Sequence, residues 1–355
     1  MKGGTGGHVF PAYGLFKNLK DKKYHVELVT DKRGIRFLEK YKDIKLNNIN
    51  TDSPFKKNPI KIFISIIKII FALFKSLNFL IKFKPNIVFG MGGYSSFPIC
   101  LAAYLLRIPF VIYENNLYLG KANRILLPFA YKLFISYADI EGLNKKYNKK
   151  IVLTGNILRE EILSYNNENK RINQSELGIL ILGGSQAAKI FAEKLPNIFK
   201  QCFNENIKFK IFQQCLQTQE QELKRTYESM KLEYEIFNFN LNLFEYFSKI
   251  DFAITRSGSS MIAELVNCNV PFISIPLPSS ADNHQFKNAK YFEKKGLGFL
   301  IREDDIEKKL FSLIKSIHKD KDLLKTMKIK QKEQSNKEVF KIIDKEINGI
   351  FNEQH

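Results

Sequence analysis

Two polar loops in the second half of the chain carry residue types that could bind an anion and a polyol. The first loop follows an apolar strand, Asp251–Thr255, and leads through a turn of small residues into a helix over Met261–Val266. Such a helix start presents backbone N–H groups and the positive end of the helix dipole, which favour a phosphate. One helical turn further on, the carboxylate of Glu264 could accept hydrogen bonds from two hydroxyls of a ribose. The plainer alternative is an ordinary βα turn in which Ser259 or Ser260 caps the helix.

The second loop follows the next strand along the chain. That strand is predicted over Pro271–Pro276, and the loop after it ends in the polar run Asp282-Asn283-His284-Gln285. Ligands of open α/β sheets bind beyond the carboxyl ends of the strands, so both loops would lie at one edge of the sheet. This placement favours a ligand site over a plain turn.

Two glycine-rich turns lie in the first half of the chain. The sequence GGTGGH ends at His8 and runs into a helix, and GMGG ends at Gly93 after a strand predicted over Asn86–Phe89. Glycine allows the backbone to approach a phosphate closely, which a side chain would prevent. His8 is a candidate general base, because imidazole titrates near neutral pH. The alternative role for His8 is a hydrogen bond to a phosphate or to the helix start.

The alternation of short apolar strands with helical segments predicts the α/β class with parallel sheets. At 355 residues the chain can form two domains, each with its own core. We place these domains over 1–160 and 161–336, and a closing helix over 337–355. A Rossmann-like unit has a strand before its first glycine turn, and Met1-Lys2 is too short for one. Either the start lies upstream and adds about 5–8 mostly apolar residues, or the sheet lacks a central strand, and we favour the first.

Composition narrows the class of protein. No stretch of about 18 residues lacks charge, so no membrane-spanning helix is expected. The four cysteines form no CxxC pair and no apolar signal region opens the chain, so a reducing cytoplasm is expected. The net charge of +20 suits a polyanionic partner, either nucleic acid or an anionic membrane. An AT-rich genome, which favours lysine codons, would also give a basic chain.

Basic residues concentrate around a long predicted helix, Pro59–Phe83. Over Ser53–Tyr113 the sequence has eight basic residues and no acidic one. Four lysines of the helix recur every seven residues and form one stripe, with Ser65 and Ser76 predicted on the same side. The rest of the helix is Ile, Phe and Leu, so it is either a core helix with one solvated face or a helix that also contacts an anionic membrane. We favour the membrane over nucleic acid. The four lysines are Lys61, Lys68, Lys75 and Lys82.

Seven motifs, in order along the chain, resemble those of the MurG family of glycosyltransferases. They are GGTGGHVFPA, GMGGYSS, YENN, TGNILR, GGSQAA, RSGSSMIAEL and PLPSSADNHQFKNA. The resemblance implies the GT-B fold, in which two Rossmann-like domains face each other across a cleft and a C-terminal helix crosses back to the first domain. It also implies inverting transfer of N-acetylglucosamine from UDP-N-acetylglucosamine to the 4-hydroxyl of lipid I, an acceptor linked to undecaprenyl diphosphate. No cofactor or metal is implied, and the place of action is the cytoplasmic face of the bacterial inner membrane.

The resemblance also assigns roles to single residues. His8 would be the catalytic base, and the lysine stripe would face the membrane. Tyr113, Asn115 and Ala187 depart from the family pattern, so their roles stay open. Two alternatives to this activity are a transferase of the same fold with another lipid acceptor and a non-catalytic membrane-binding relative. The donor would be bound by Thr5, Gly6, Gly7, Asn116, Arg159, Ser185, Asn240, Ser259, Ser260, Met261, Glu264 and Gln285, and the acceptor by Gly4, Gly92, Gly93, Tyr94 and Glu114.

Overall fold

A computed structural model gives the fold of the chain. It divides into two compact units, unit 1 formed by Met1–Arg159 with Asn336–His355, and unit 2 formed by Glu160–Ser335. The predicted α/β class with parallel sheets is confirmed in both units. The structure describes residues 6–39, 41, 44–55, 58–165, 176–184, 189–238, 240, 242–334 and 338–353.

Unit 1 alternates short strands with helices and receives one helix from the end of the chain. A 3₁₀ segment, Lys145–Lys150, precedes its last strand. Its elements are α1 (Gly6–Asp21), β1 (Leu28–Thr30), α2 (Lys32–Leu38), β2 (Leu46–Asn48), α3 (Pro59–Phe83), β3 (Val88–Gly90), α4 (Phe97–Leu105), β4 (Phe110–Glu114), α5 (Lys121–Leu126), β5 (Lys132–Ile135), β6 (Ile151–Leu153) and α14 (Val339–Asn352).

The described strands of unit 1 form two separate parallel sheets. One pairs β1 with β2, and the other has the order β3-β4-β5-β6. The sequence predicts a strand over Tyr24–Thr30, but only Leu28–Thr30 is paired, with Leu46–Asn48 opposite. The observed strand is shorter because its ladder extends only as far as this three-residue partner.

The start of α2 differs from its predicted position. The sequence predicts a helix over Ile35–Tyr41, whereas α2 begins at Lys32. Asp31 caps this start, because its Oδ1 accepts hydrogen bonds from the backbone nitrogens of Arg33 and Gly34 at 2.9 and 3.1 Å. An aspartate in this position satisfies N–H groups that have no partner inside the helix.

The C-terminal helix α14 packs into unit 1. Its residues Ile343 and Ile347 are buried in one apolar cluster with Leu15 of α1, Val111 of β4 and Phe134 of β5. An ion pair of 3.7 Å between Lys132 Nζ and Glu346 Oε2 adds a polar contact at the rim of this cluster. The last helix therefore belongs to the core that supports α1.

The helix α3 has the predicted bounds but not the predicted faces. Its buried side consists of Ser65, Ala72, Ser76 and Leu80. The prediction that both serines lie with the lysines is wrong, because each serine is fully buried and its hydroxyl donates to a backbone oxygen four residues earlier. The small residues let α3 pack closely against α4. The large apolar residues that α3 exposes are Ile60, Phe63, Ile64, Ile66, Ile67, Ile70, Phe71, Phe74 and Ile81.

Unit 2 contains a longer succession of strands and helices. Short 3₁₀ turns precede α8, α11 and α12. The elements are α6 (Glu160–Leu163), β7 (Leu177–Leu182), α7 (Lys189–Asn204), β8 (Phe209–Gln214), α8 (Glu220–Ser229), β9 (Glu233–Phe237), α9 (Phe244–Phe247), β10 (Phe252–Thr255), α10 (Ser259–Asn267), β11 (Phe272–Ser274), α11 (His284–Lys294), β12 (Phe299–Leu300), α12 (Ile306–Lys319) and α13 (Asp322–Lys332).

The sheet of unit 2 is continuous. Its order is β12-β11-β10-β7-β8-β9, with every pair parallel. In chain order this is the doubly wound arrangement, in which the direction of winding reverses between β7 and β10. Buried residues of the strands, among them Ile179 and Ile254, form one cluster with Phe191 of α7 and Leu310 of α12.

Candidate active site

The winding reversal in unit 2 brings two strand ends together. Thr255 pairs with Leu182, so β10 and β7 end at the same level. The backbone nitrogen of Arg256 donates to the Leu182 oxygen at 3.3 Å and extends the pairing by one residue. In open α/β sheets the crevice at this reversal is where ligands bind.

The turn after β10 exposes the start of α10 at this crevice. Gly258 has extended backbone, and α10 begins with the buried residues Ser259 and Ser260. The Ser257 hydroxyl is fully buried and has no hydrogen-bond partner among the described residues. A buried hydroxyl without a partner costs free energy, and this one lies beside the start of α10. Sequence reasoning used only the backbone of Ser257 and missed this side chain.

Glu264 lies on the same helix, one turn after its start. Its side chain is 4% exposed, whereas the adjacent Met261 is half-buried. Its position one turn after the start of α10 places the carboxylate close to any ligand that binds at the helix start. The structure therefore brings together Ser259, Ser260, Met261 and Glu264, as the motif predicts.

The loop before α11 joins this group through Asn288 and Gln285. Asn288 Nδ2 donates to the Ser257 backbone oxygen at 3.2 Å, which ties α11 to the turn. The Gln285 Oε1 accepts from Leu277 N at 2.9 Å, so the amide nitrogen is the atom that could donate to a ligand. Asp282 and Asn283 both have left-handed backbone, with φ of +50° and +55°. Such strain in adjacent residues is typical of loops that are shaped for binding.

Two further polar residues of unit 2 lie near these loops in the sequence. Arg256 does not extend toward a ligand: it is buried, pairs with Glu303, and donates from Nη1 to the Ile275 oxygen at 3.1 Å. It therefore holds the turn in place. Asn240 is half-buried and its Oδ1 accepts from Asn242 N at 2.8 Å.

In unit 1, His8 is held by the second glycine-rich turn. Its Nδ1 lies 3.1 Å from the Met91 backbone oxygen, which can only accept, so Nδ1 carries the proton. In the neutral ring the lone pair is then on Nε2. A Cβ placed on Gly92 or Gly93 would lie 3.0 or 3.2 Å from the His8 ring, and both glycines have positive φ. The two turns therefore form one cluster, in which GMGG contacts the imidazole directly.

Glu114 is occupied by its own loop. Its Oε1 accepts from both nitrogens of Asn116, at 3.1 and 3.0 Å. Its Oε2 accepts from Gly120 N and from Asn123 Nδ2, each at 2.9 Å. The carboxylate is buried, and four donors surround it. Both amide hydrogens of Asn116 are donated within the loop, since its Nδ2 also donates to Asn115 Oδ1 at 2.9 Å.

Tyr113, one of the departures from the family pattern, has a structural place. Its hydroxyl lies 2.7 Å from Ser136 Oγ and accepts from Ile157 N at 3.0 Å. Burial raises the pKa of Tyr113 well above its ordinary value. Arg159 belongs to unit 1, where its guanidinium lies 5.1 Å from the ring centre of Phe10.

Tyr94 directly follows the glycines that contact His8. Its ring lies 5.9 Å from that of Phe55, in the loop before α3. Gly6 and Gly7 open α1, as predicted for a glycine turn at a helix start. The predicted positions Gly4, Thr5, Ser185 and Ala187 lie outside the described residues.

A cavity of about 280 Å³ lies beside the His8 cluster. Val29 of β1 and Phe89 of β3 line it from the strands, and Ala12 of α1 and Phe351 of α14 line it from the helices. His8 lines one end. Across the described ranges, no three His, Cys, Asp or Glu side chains group in the way a metal site requires.

Comparison with known families agrees with this geometry. The description "Glycosyltransferase family 28 N-terminal domain" matches residues 1–135, and "Glycosyltransferase family 28 C-terminal domain" matches residues 178–343. The structure resembles that of MurG from Acinetobacter baumannii, with a TM-score of 0.74, 27% identity and coverage of 97% of this chain and 98% of the other. Its likeness to Staphylococcus aureus MnaA solved with UDP, at 17% identity and a TM-score of 0.69 over 98% and 95% of the two chains, shows the fold alone.

Two curated relatives share one long name, UDP-N-acetylglucosamine–N-acetylmuramyl-(pentapeptide) pyrophosphoryl-undecaprenol N-acetylglucosamine transferase. The protein from Pelagibacter ubique (strain HTCC1062) is 34% identical over 353 residues, which are 99% of this chain and 97% of the relative. The protein from Rickettsia bellii (strain RML369-C) is 37% identical over 323 residues, 88% and 89% of the two chains.

Proposed function

Since the chain belongs to the MurG family of glycosyltransferases, we propose that it catalyses the reaction for which its relatives are named. It transfers N-acetylglucosamine from UDP-N-acetylglucosamine to the 4-hydroxyl of lipid I, and the product is lipid II for peptidoglycan synthesis. The observation that carries this proposal is the turn at the winding reversal of unit 2. There a helix start, the unpartnered Ser257 hydroxyl and the buried Glu264 come together.

The donor binds through these groups. The diphosphate accepts hydrogen bonds from the backbone at Ser259 and Ser260 and from the Ser257 hydroxyl, and the α10 dipole stabilises its charge. Glu264 accepts from the ribose hydroxyls, and the amide nitrogen of Gln285 donates to the sugar. We assign Met261, Asn240 and Arg159 to the nucleoside, and Gly6, Gly7 and Asn116 to the sugar and diphosphate side. From their motifs, Thr5 and Ser185 are also assigned to the sugar and diphosphate side.

The transfer is a single displacement at the anomeric carbon. The acceptor hydroxyl gives its proton to His8 Nε2 while its oxygen forms the new bond to C1 of the sugar. The bond between C1 and the β-phosphate oxygen breaks, UDP leaves with the electron pair, and the configuration at C1 inverts. The bond from Nδ1 to the Met91 oxygen fixes the tautomer that this role needs. Preorganised dipoles at the helix start stabilise the leaving diphosphate.

The acceptor binds at the His8 cluster. Gly92 and Gly93 pack against the imidazole so closely that a Cβ there would be crowded, and Tyr94 follows them with a half-buried ring. We assign these residues, with Gly4 from the first turn, to the sugar and diphosphate of the acceptor. Glu114 contributes by shaping its loop, because its oxygens already accept four hydrogen bonds.

We also propose that α3 attaches the protein to the anionic leaflet of the membrane that holds the lipid acceptor, on the cytoplasmic side. The exposed face of α3 is apolar, with Ile60, Phe63 and Phe71 each about two-thirds exposed. Such a face is unfavourable in water and favourable in the interface of a bilayer. On a helix of 3.6 residues per turn, the lysines lie along one flank, between this face and the buried one. They can reach phosphate groups while the apolar face inserts.

This mode of attachment is peripheral. No helix within the described ranges combines the length and the apolar character needed to cross a bilayer. The lysines of the flank are Lys61, Lys68, Lys75 and Lys82, and all four are exposed.

A product assay tests the activity. The protein is incubated with UDP-N-acetylglucosamine labelled in the sugar and with a short-chain analogue of lipid I, and lipid products are separated from UDP. We expect one labelled disaccharide lipid and an equal amount of UDP. A parallel reaction with a diacylglycerol acceptor should give no product. Labelled product from diacylglycerol alone, or UDP release without a disaccharide, would contradict the proposal.

A further inference from the structure

Asn115 connects the loop after β4 to the turn that carries His8. Its Nδ2 donates to the backbone oxygen of Gly7 at 2.6 Å, across 108 positions of sequence. Asn115 is 4% exposed. Asn115 is shielded from water and Gly7 is half-buried, so solvent would compensate poorly for loss of this donor. Asn115 is also a departure from the family pattern, so this contact comes from the residue that this chain has.

The orientation of the Asn115 amide is fixed from its other side. Asn116 Nδ2 donates to Asn115 Oδ1 at 2.9 Å, so the nitrogen must be the atom that faces Gly7. Asn116 is itself held by Glu114 Oε1 at 3.0 Å. Asn116 Nδ2 thus donates both to Asn115 Oδ1 and to the buried Glu114 carboxylate, and a chain of hydrogen bonds links the Gly7 oxygen through the two amides to Glu114.

We propose that Asn115 is a positioning residue for His8. The imidazole is located by the Met91 oxygen and by the two glycines of the second turn. The backbone immediately before His8 is located by Asn115 through Gly7. Both contacts are needed to aim Nε2, because the ring alone can rotate with its backbone. The role in catalysis rests on the proposed function, in which His8 is the base.

The substitution Asn115→Asp gives the sharpest test, because it keeps the shape and replaces the donor by an oxygen that repels the Gly7 carbonyl. We expect kcat to fall about 10- to 100-fold. The ring nitrogens of His8, followed by ¹⁵N NMR, should shift or broaden and lose the Nδ1–H tautomer as the dominant form. Asn115→Gln, which keeps a donor, should recover part of kcat.

The matched control is Asn47→Asp in the same unit. Asn47 Nδ2 donates to Glu27 Oε2 at 2.7 Å on the outer strand, so the variant also loses a bond and gains a like-charge contact. We expect its kcat and its His8 spectrum to equal those of the wild type.

Several outcomes decide the proposal. A folded Asn115→Asp variant with wild-type kcat and an unchanged His8 spectrum would overturn it. If Asn115→Asp fails to fold, Asn115→Ala removes the donor without a charge and gives the same decision. If the wild type forms no product, the proposed function fails, while the His8 spectra of wild type and variant still decide whether Asn115 positions the ring.

Discussion

The two units use the same elements but fix their polar turns in different ways. In unit 2 the turn after β10 lies on a continuous sheet, and β7 and β10 pair directly beneath it. In unit 1 the described strands form two sheets, and residues of β1 and β3 line a cavity of about 280 Å³ beside His8. The turn after β10 can therefore rely on packed strands, whereas the His8 turn depends on the hydrogen bond from His8 Nδ1 to the Met91 oxygen and on that from Asn115 to the Gly7 oxygen.

A second contrast separates the helices that serve the two units. α10 buries most of its side chains, including Glu264. α3 buries a narrow row of small residues and exposes a wide apolar face. The first arrangement suits a small charged ligand, and the second suits an extended apolar surface. This contrast matches the proposal that unit 2 binds the nucleotide sugar and that unit 1 binds the lipid acceptor and contacts its membrane.

The largest expected effect is that of His8→Asn. Asparagine keeps a polar group near Met91 but cannot take a proton, so kcat should fall about 10²–10⁴-fold. UDP binding measured by calorimetry should not change, because the diphosphate is proposed to bind at the start of α10. A variant that loses acceptor affinity but keeps kcat at saturation would make His8 a binding residue, and the contrast between the units would need revision.

Glu264→Ala should affect the donor alone. Loss of charge-assisted hydrogen bonds to ribose costs about 1.5–3 kcal/mol, so KM for the donor should rise by about 10- to 150-fold. KM for the acceptor should stay within twofold. For Glu264→Gln, which keeps the shape and one acceptor oxygen, KM for the donor should lie between the values of the wild type and of Glu264→Ala. Unchanged donor kinetics in Glu264→Ala would remove this residue from the site.

The membrane contacts of α3 should depend on lipid charge and on salt. Each lysine near an anionic leaflet contributes about 1 kcal/mol, and screening weakens this contribution as salt rises. The double variant Lys68→Glu with Lys75→Glu should therefore leave anionic vesicles in a sedimentation assay, yet keep near-normal turnover on a water-soluble acceptor.

The control for this experiment changes the same charge elsewhere in unit 1. Lys145 and Lys149 are exposed on the 3₁₀ segment, far along the chain from α3. Lys145→Glu with Lys149→Glu should keep wild-type vesicle binding. Equal loss of vesicle binding in both double variants would mean that net charge, and not α3, drives binding. Wild-type sedimentation of the α3 variant would leave α3 as a helix with a solvated flank.

The smallest effect concerns the cavity of unit 1. Ala12 lines it, so Ala12→Leu should fill space and raise the free energy of unfolding by about 0.5–2 kcal/mol. The same change at Ala103, which is fully buried, should overpack the core and lower stability by about 1–3 kcal/mol. Thermal denaturation of the two variants measures the difference. Destabilisation by Ala12→Leu comparable to that at Ala103 would show that unit 1 is as tightly packed there as elsewhere.

Local signals predicted much of the fold. Asn58 and Pro59 begin α3, and its bounds match the prediction because the cap and the proline act within a few residues. The predicted start of α2 at Ile35 was too late, because the prediction did not use Asp31 as the N-cap. Aspartate is a residue type that favours this position, so the sequence contained the signal.

Contacts between distant segments could not be predicted in the same way. The Asn115 bond to Gly7 joins residues 108 positions apart, and nothing near either residue indicates it. The burial of Ser65 depends on how closely α4 packs, which periodicity does not contain. The side chain of Ser257 was overlooked because its burial follows from the sheet order.

Hydrogen–deuterium exchange with each ligand in turn tests the division between the units most directly. With UDP added, we expect slower exchange in peptides that cover 256–264 and 283–288, and no change over 60–81. With anionic vesicles, slower exchange should appear over 60–81 and not in the UDP peptides. If UDP does not slow exchange over 256–264, or if vesicles do not slow exchange over α3, the proposed division of roles between the two units is contradicted.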